Sequence, residues 1–462
     1  MASTRWYRLI VTCDDASEVL LSRDGAVYKL PSAKVEYGER LAEAASRAGK
    51  AVCGGDLLYL FSGPLSPSLE EGLKDYSYCV LEHFGAKNEP CVLHQWVTRT
   101  TLSAECFENS RDYEAVIEAL HSARQTLSDS DIGWFARLGW WKQISRWIAE
   151  AIRPLGYQVT GTRQLNGGPR FVLLRVATDG PAFWFKAVGE PNIKEFLITQ
   201  ALADSLPASA PQIIASLPEC NGWLAAEVPG PSLAQADLDQ WVSAASSLAE
   251  LQMASIEHFD ILRQAGARNL NFDVLRAAIG PCMSEVTHVM RRQEKSSPAP
   301  LDDHAIQELG EQLSLGLREI TALDMPYALG NLDLNPANII TSPTGSTFLD
   351  WCEAYVGNPF FSFQYLLEHF RRQHGSDQAP TLLFEEAYWN GWRRVLPSAT
   401  LDTARRIMPL LAVFAYTVAL SSTQGNSSAR PDSQQAYFRS LARRMKLETD
   451  RLVVGRSLCP VS

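Results

Sequence analysis

The chain has 462 residues, 46% of them hydrophobic, which is enough for about three domain-sized units with packed cores. Its 42 basic and 52 acidic residues leave a formal charge of −10 and are dispersed without a basic stripe, which argues against a nucleic-acid partner. Nine cysteines lack Cys-x-x-Cys spacing and eight histidines form no His-x-x-x-His pair, so neither a disulfide framework nor zinc is indicated.

The amino terminus, Met1 to Ile10, lacks the basic-then-apolar order and cleavage site of a signal peptide. Residues 1–108 read as short strands around one helix: Tyr7 to Cys13, Val19 to Ser22, Ala26 to Leu30, Leu57 to Phe61, Tyr78 to Leu81 and Val92 to Thr98, with Asp24-Gly25 as a hairpin signal and Glu39 to Ala51 as an Ala-rich helix. Leu30-Pro31-Ser32-Ala33, Val35-Glu36, Gly38-Glu39 and then Ala44-Ala45, Arg47 follow the Nudix box in outline, and this segment resembles a Nudix α/β domain. The resemblance implies a metal-holding Arg-Glu-x-x-Glu-Glu helix, but this chain has Arg47-Ala48-Gly49-Lys50-Ala51-Val52 there, and Ser32-Ala33 in place of Gly-Gly. Hydrolysis needs clustered carboxylates around a divalent metal, so a non-hydrolytic Nudix-like module is expected, with an unrelated small α/β domain as the alternative.

Residues 109–155 read as a helical linker: a helix from Asp112 to Leu127, a break at Ser128–Asp131, and an aromatic stripe of Trp134, Phe135, Trp140, Trp141, Ile144, Trp147, Ile148 and Ile152. Spacings of three and four place most of that stripe on one helical face, as expected of a connecting helix docked onto both neighbouring domains. Strands then follow at Gln158 to Gln164, Phe171 to Val176 and Phe183 to Val188, with a turn at Asn166-Gly167-Gly168 and Lys186 on the third strand. Glu195 lies on an apolar-periodic helix, Ile193 to Leu206, and Leu224 to Pro231 leads into a predominantly helical region.

That region holds helices at Leu238 to Ala254, Ala305 to Leu323, Phe361 to Arg372, Leu382 to Val395, Asp402 to Ala419 and Gln434 to Val453, with a loop at Arg291 to Pro300. The longest apolar run, Leu410 to Leu420, is too short for a bilayer and reads as the buried helix of a cytoplasmic protein with no membrane attachment. Between these helices stands the most informative segment, Asn331-Leu332-Asp333-Leu334-Asn335-Pro336-Ala337-Asn338, followed twelve residues later by Asp350-Trp351. An apolar run at Tyr327 leads in, Ile339-Ile340 leads out, and a turn at Ser342 to Ser346 reverses the chain into Thr347 to Leu349, so a hairpin brings Asp333, Asn338 and Asp350 to one mouth. Asp333 suits acceptance of a hydroxyl proton, while Asn338 and Asp350 offer hard oxygen ligands for Mg²⁺, the arrangement phosphoryl transfer requires.

Asn331 to Ile339 resembles the His-Gly-Asp-x-x-x-x-Asn-Ile catalytic loop of the aminoglycoside phosphotransferase family, small-molecule kinases of the protein-kinase-like fold. Phe348-Leu349-Asp350-Trp351 to Gly357-Asn358-Pro359 is similar to that family's metal-binding strand end and its Gly-Asp-Pro continuation. The resemblance implies an α+β multidomain chain: a Nudix-like domain at 1–108, the linker at 109–155, a β-rich kinase-like N-lobe at 156–230 and a helical C-lobe at 231–462. It also implies ATP and Mg²⁺ as cofactors, a glycine turn at Gly167-Gly168 over phosphates, Lys186 paired with Glu195, adenine met by backbone at Glu227 and Val228, and a small-molecule hydroxyl acceptor. Two departures matter: Asn331-Leu332 replaces His-Gly, which would loosen or reshape the loop holding Asp333, and Asn358 replaces an aspartate that would help brace the C-lobe. The acceptor and the oligomeric state stay open. So does a rival reading, a kinase-like nucleotide sensor or scaffold with little or no turnover, favoured by these departures and by the stripped Nudix box.

Overall fold

Short β-prone runs of the first half pair into two sheets, and the periodic runs of the second half become helices around two small sheets. The computed structural model describes all residues except 1–4, 14–15, 26, 37, 64–76, 85–92, 125–132, 376, 424–431 and 459–462. The expected break at Ser128–Asp131 lies outside the described residues, as do Ala26 and Val92 of the expected strands and Tyr37 of the box. Two units divide the chain: Met1–Phe196 with Gln212–Glu227, and Leu197–Pro211 with Val228–Ser462.

In the first unit, β1 (Arg5–Cys13), β2 (Glu18–Asp24), β3 (Val27–Lys29), β4 (Ser32–Val35), β5 (Asp56–Gly63), β6 (Ser77–Phe84) and β7 (His94–Thr98) form one sheet in the order β3-β2-β1-β6-β5, with β4 on β1 and β7 on β2. The β1–β6 pair is parallel and the others are antiparallel. Asp24 lies opposite Val27, so the hairpin signalled by Asp24-Gly25 forms with Asp24 as the last paired residue and Gly25, at φ 61°, beyond it. Strand β1 is buried on both faces, and alternation sorts its side chains. Leu9 and Val11 join Ala42, Ala45 and Cys53 of α1 (Leu41–Cys53), while Ile10 joins Ala115, Val116 and Leu120 of α2 (Ser110–Arg124). Gly49 lets α1 approach the sheet, since a Cβ there would stand 2.2 Å from Leu57 Cδ1.

Helix α3 (Trp140–Ile152) buries Trp140, Ile144, Ile148 and Ile152, a four-residue repeat that puts all four on one face. That face belongs to the same apolar cluster as Ile10 and as Val172, Leu174 and Phe185 of the second sheet, and the Trp147 and Phe185 rings stand 5.8 Å apart. The second sheet, β8 (Val159–Gly168), β9 (Phe171–Thr178), β10 (Phe183–Val188), β11 (Ile213–Leu217) and β12 (Gly222–Ala226), runs β11-β12-β10-β9-β8 and is antiparallel throughout. Gln164 ties the sheets together in strand-like fashion: Tyr59 N–H donates to its Oε1 at 2.7 Å and its Nε2 donates to Tyr59 carbonyl at 3.0 Å. One expectation is corrected here. The β8–β9 turn does not fall at Asn166–Gly168; Gly168 is still paired with Phe171, so the turn is Pro169-Arg170. Proline presets the φ of a turn's second position, and this overrides the Asn-Gly signal.

In the second unit, α4 (Glu195–Ser205), which begins in the first, is followed by α5 (Leu238–Ser255), α6 (Phe259–Ala265), α7 (Phe272–Arg291), α8 (Asp303–Thr321), α9 (Phe360–His374), α10 (Gln378–Trp392), α11 (Ser398–Thr423) and α12 (Asp432–Leu458). Strands β13 (Arg268–Leu270), β14 (Ala328–Asn331) and β17 (Ala354–Gly357) form one small sheet in the order β13-β17-β14, and β15 (Ile339–Ser342) pairs with β16 (Gly345–Phe348) in another. Asp237 starts α5 with a capping box, its carboxylate accepting from Gln240 N–H at 2.9 Å and its own N–H donating to Gln240 Oε1 at 3.2 Å. Helices α6 and α7 are absent from the sequence reading. Pro281 costs α7 one backbone hydrogen bond, yet the helix passes through it because Leu275, Cys282, Val286, Val289 and Met290 bury one continuous face. Helix α11 is long and apolar enough to cross a membrane by length and composition, but Leu410, Leu411, Phe414 and Ala415 are fully buried in the helical core.

Candidate functional site

The loop between β14 and β15 is held by its first residue. Asn331 pairs with Ala354 across β14–β17 and is 1% exposed, and its carboxamide works in both directions. Its Nδ2 donates to Asp350 carbonyl at 2.8 Å, and its Oδ1 accepts from Asp333 N–H at 2.9 Å. Asn331 N–H in turn donates to Ser362 Oγ at 2.8 Å, and Leu332 N–H donates to Glu353 carbonyl at 3.1 Å. One buried amide therefore bridges the two acidic positions. The expectation that Asn331-Leu332 loosens the loop is corrected: an amide carries both a donor and an acceptor, so it satisfies both backbone groups without a charge to desolvate.

The hairpin does what its register dictates. Ile339 lies opposite Phe348, which leaves Asn338 facing Leu349 and Asp350 one step beyond. Leu349 N–H donates to Asn338 carbonyl at 2.8 Å, and Asn338 Nδ2 stands 3.4 Å from Asp350 Oδ2. Asp350 adopts φ 61°, ψ 72°, a left-handed conformation that a non-glycine residue holds only where its surroundings enforce it. Trp351 enforces it from one side, buried with its Nε1 donating to Phe348 carbonyl at 3.0 Å, and Asn331 from the other. Asp333 is oriented by Tyr365 of α9, whose hydroxyl donates to its Oδ1 at 2.8 Å, leaving Oδ2 without a partner among the described residues. Burial first, and then the adjacent Asp333 carboxylate, push the Tyr365 phenol above its ordinary range, so it stays a donor. Burial likewise raises the Glu353 carboxyl against the pull of Arg268, with Asp333 and Asp350 adding smaller contributions.

Asn358 stands at the start of α9. It is fully buried, its Oδ1 accepts from Phe360 N–H at 3.0 Å, and its carbonyl accepts from the Tyr355 hydroxyl at 2.9 Å. A neutral side chain thus caps the helix entry through Oδ1, while its Nδ2 is buried without a hydrogen-bond partner among the described residues.

The donor set fits a divalent cation of the Mg²⁺ type. A carboxylate and a carboxamide within 3.4 Å of one another supply hard oxygens on a rigid hairpin, the carboxamide by rotating its Oδ1 inward.

In the first unit, Lys186 sits mid-strand on β10, opposite Leu173 and Trp223, and its Nζ donates to Glu195 Oε1 at 2.5 Å. Glu195 opens α4 with its side chain 2% exposed, where the helix N-terminus favours a carboxylate. Lys186 also lies 5.9 Å over the Trp223 ring. Gly167 and Gly168 lie at the end of β8. A Cβ on Gly167 would meet Gln164 Nε2 at 2.5 Å and Tyr59 Cδ1 at 3.4 Å, and the turn beyond them is held by Phe135 N–H donating to Pro169 carbonyl at 3.0 Å. The Glu227 side chain is fully engaged. It accepts from Arg175 at 2.6 and 2.9 Å and from Trp184 Nε1 at 3.1 Å, and the Arg175 guanidinium holds its carboxyl below the usual range. Its N–H is also taken, by Ala182 carbonyl at 3.0 Å, and Val228, half-buried, begins the second unit.

A cavity of about 430 Å³ opens beside the loop in the second unit, lined by Leu332 and by residues of α9, α10, α11 and α12. Tyr365 belongs to both the cavity wall and the Asp333 hydrogen bond. The sequence reading missed Asn331 as a clamp, Tyr365 as a positioning donor and the cavity itself. Tyr365 could have been found from the i, i+4 phase of α9, where Tyr365 and His369 fall on the same face.

No protein-family model matches the sequence, and no curated protein matches it significantly. Solved structures with similar folds include a macrolide 2′-phosphotransferase from Brachybacterium faecium, at 16% identity and TM-score 0.42 over 64% of this chain and 97% of that one. A choline kinase from Cryptosporidium parvum superposes at 13% identity and TM-score 0.44, covering 68% and 98%, and an ADP-bound aminoglycoside phosphotransferase at 12% and 0.42, covering 66% and 98%. Likeness at this level leaves the chemistry to be argued from the residues themselves.

Proposed function

We propose that this chain is an ATP- and Mg²⁺-dependent phosphotransferase that moves a γ-phosphoryl group to a hydroxyl of a small molecule. In this reading residues 156–230 and 231–462 are the lobes of a kinase-like fold, 109–155 is the linker, and 1–108 is a non-hydrolytic Nudix-like module. The observation that carries the proposal is the loop geometry: Asn331 joins the Asp333 and Asp350 backbones, and Asn338 stands 3.4 Å from the Asp350 carboxylate.

Asp333 is the base, held by Tyr365 through Oδ1 so that Oδ2 receives the acceptor's proton. The acceptor oxygen forms a bond to the γ-phosphorus, the bond to the β,γ-bridging oxygen breaks, and that electron pair leaves with ADP. Asp350 and Asn338 would hold Mg²⁺, which when bound would neutralise phosphate oxygens. Lys186, kept in place by Glu195, is assigned to the nucleotide phosphates. Glu227 and Val228 are assigned to adenine through backbone carbonyl groups, because the Glu227 side chain and N–H are already committed. Gly167 and Gly168 are assigned no phosphate contact, because Gly167 packs against Gln164 and Tyr59 and the turn itself is Pro169-Arg170, and a cytoplasmic location is part of the same proposal.

The test is a melting-temperature comparison with ATP, with and without Mg²⁺, in wild type and Asp350→Ala, alongside ADP release over an acceptor panel. ATP at about 100 times its Kd stabilises by about 2.7 kcal/mol, and the Mg²⁺-dependent part of this is expected to vanish in the variant. Nucleotide binding with no ADP formation on any acceptor would favour the sensor reading.

A further inference from the structure

The cavity beside Asp333 is walled by six guanidinium groups against three carboxylates, Glu368, Glu385 and Glu448. Those carboxylates are already occupied. Arg444 approaches Glu368 at 2.7 Å, Arg371 approaches Glu385 at 3.1 Å, and Arg451 approaches Glu448 at 2.8 Å. A polyamine acceptor would find no carboxylate there without a resident cation. The surplus is positive. Arg405 and Arg406 pair with Glu386 and Glu319, neither of which lines the cavity, and Arg372 has no carboxylate partner among the described residues. Arg405 lines the same wall, its guanidinium lying 5.0 Å over the Trp389 ring, while Arg405 Nε and Trp389 Nε1 are shut off from the cavity.

From this we infer that the acceptor is an anion: a hydroxyl-bearing small molecule whose carboxylate or phosphate group is held by Arg372 and Arg405 while its hydroxyl is presented to Asp333. The inference rests on the phosphotransferase reading for the hydroxyl end and stands on the cavity alone for the anionic end. Arginine's fixed donor fork matches both carboxylate and phosphate geometry, and the volume suits one small ligand. Tyr365, Tyr416 and Tyr437 also line the cavity, with Tyr437 hydroxyl donating to Tyr416 at 3.1 Å, and they offer flat surfaces to the body of such a molecule.

The test uses the full chain and five probes: gluconate and glycerol 3-phosphate as anions, glucose as a neutral acceptor, choline and kanamycin as cations. Melting temperature is read without nucleotide and ADP release with ATP and Mg²⁺. Stabilisation by an anion is expected, gluconate or glycerol 3-phosphate naming the group preferred, and it should fall away in Arg372→Glu and in Arg405→Lys but persist in Arg276→Gln, which lies on α7 outside the cavity. Where an anion is phosphorylated, its KM should rise about ten-fold or more in Arg372→Glu. Turnover of choline, kanamycin or glucose in preference to the anions would overturn the inference and leave the phosphotransferase intact. Anion binding with no ADP formation would leave the anion site and remove the phosphotransferase. No stabilisation by either anion at millimolar concentration would overturn the anion site.

Discussion

The loop from Asn331 to Asp350 and the cavity behind it are neighbours built on opposite plans. The loop is local: one hairpin register, one buried amide and one left-handed residue place every group within twenty positions of sequence. The cavity draws its wall from four helices spread between Phe361 and Leu452, and its character comes from which ion pairs close and which arginine is left over. On the proposed function, reaction chemistry would be carried by backbone geometry, and acceptor choice by side-chain charge balance. Substitutions in the two regions should separate accordingly, with loop changes acting on kcat and cavity changes acting on the acceptor KM.

The sharpest break is Asp333→Asn, which removes the base while keeping the Tyr365 contact. On the proposed mechanism kcat should drop by about 10²–10⁴-fold with acceptor KM little altered, measured by steady-state ADP release. Asn331→Ala comes next. It strips buried partners from Asp333 N–H and Asp350 carbonyl, each loss costing about 1–3 kcal/mol, so kcat should fall while Arg372 variants keep theirs. If Asn331→Ala instead raised only the acceptor KM, the division of labour would be wrong. Tyr365→Phe is the smaller and more revealing change because this residue belongs to both regions. Losing one hydrogen bond of about 0.5–1.5 kcal/mol should lower kcat about three- to ten-fold and shift acceptor KM in the same variant.

Tyr365 also sets a pH expectation. Its folded pKa lies above the unfolded value of about 10, mainly through burial, so its protonated form is the one the fold favours. Its contribution is complete below about pH 10 and is lost as pH rises from there toward the folded value. Stability should therefore decline less steeply above about pH 10 in Tyr365→Phe than in wild type, as followed by circular dichroism.

How much of this was readable in advance depended on range. The alternation in β1, the four-residue repeat of α3 and the hairpin joining Asn338 to Asp350 are periodic or adjacent signals, and the pairing of Ile339 with Phe348 follows from them. Pro169 moved a turn that Asn166 and the glycines had advertised, and α7 ran through Pro281, because packing of a long apolar face outweighs one missing hydrogen bond. Asn331 was read as a loss where it is a brace. Its value lies in two backbone partners, one of them nineteen residues away.

The sequence by itself determined most of the strands and helices, though not α6 or α7, and the hairpin that brings Asn338 to Asp350, since those depend on local periodicity and short turns. Only the tertiary structure decided that Glu368 and Glu385 are spent on arginines and that Arg372 and Arg405 line the same cavity. Charge is counted along a chain, but it is cancelled across space, and what stays unpaired is fixed only after the helices have packed.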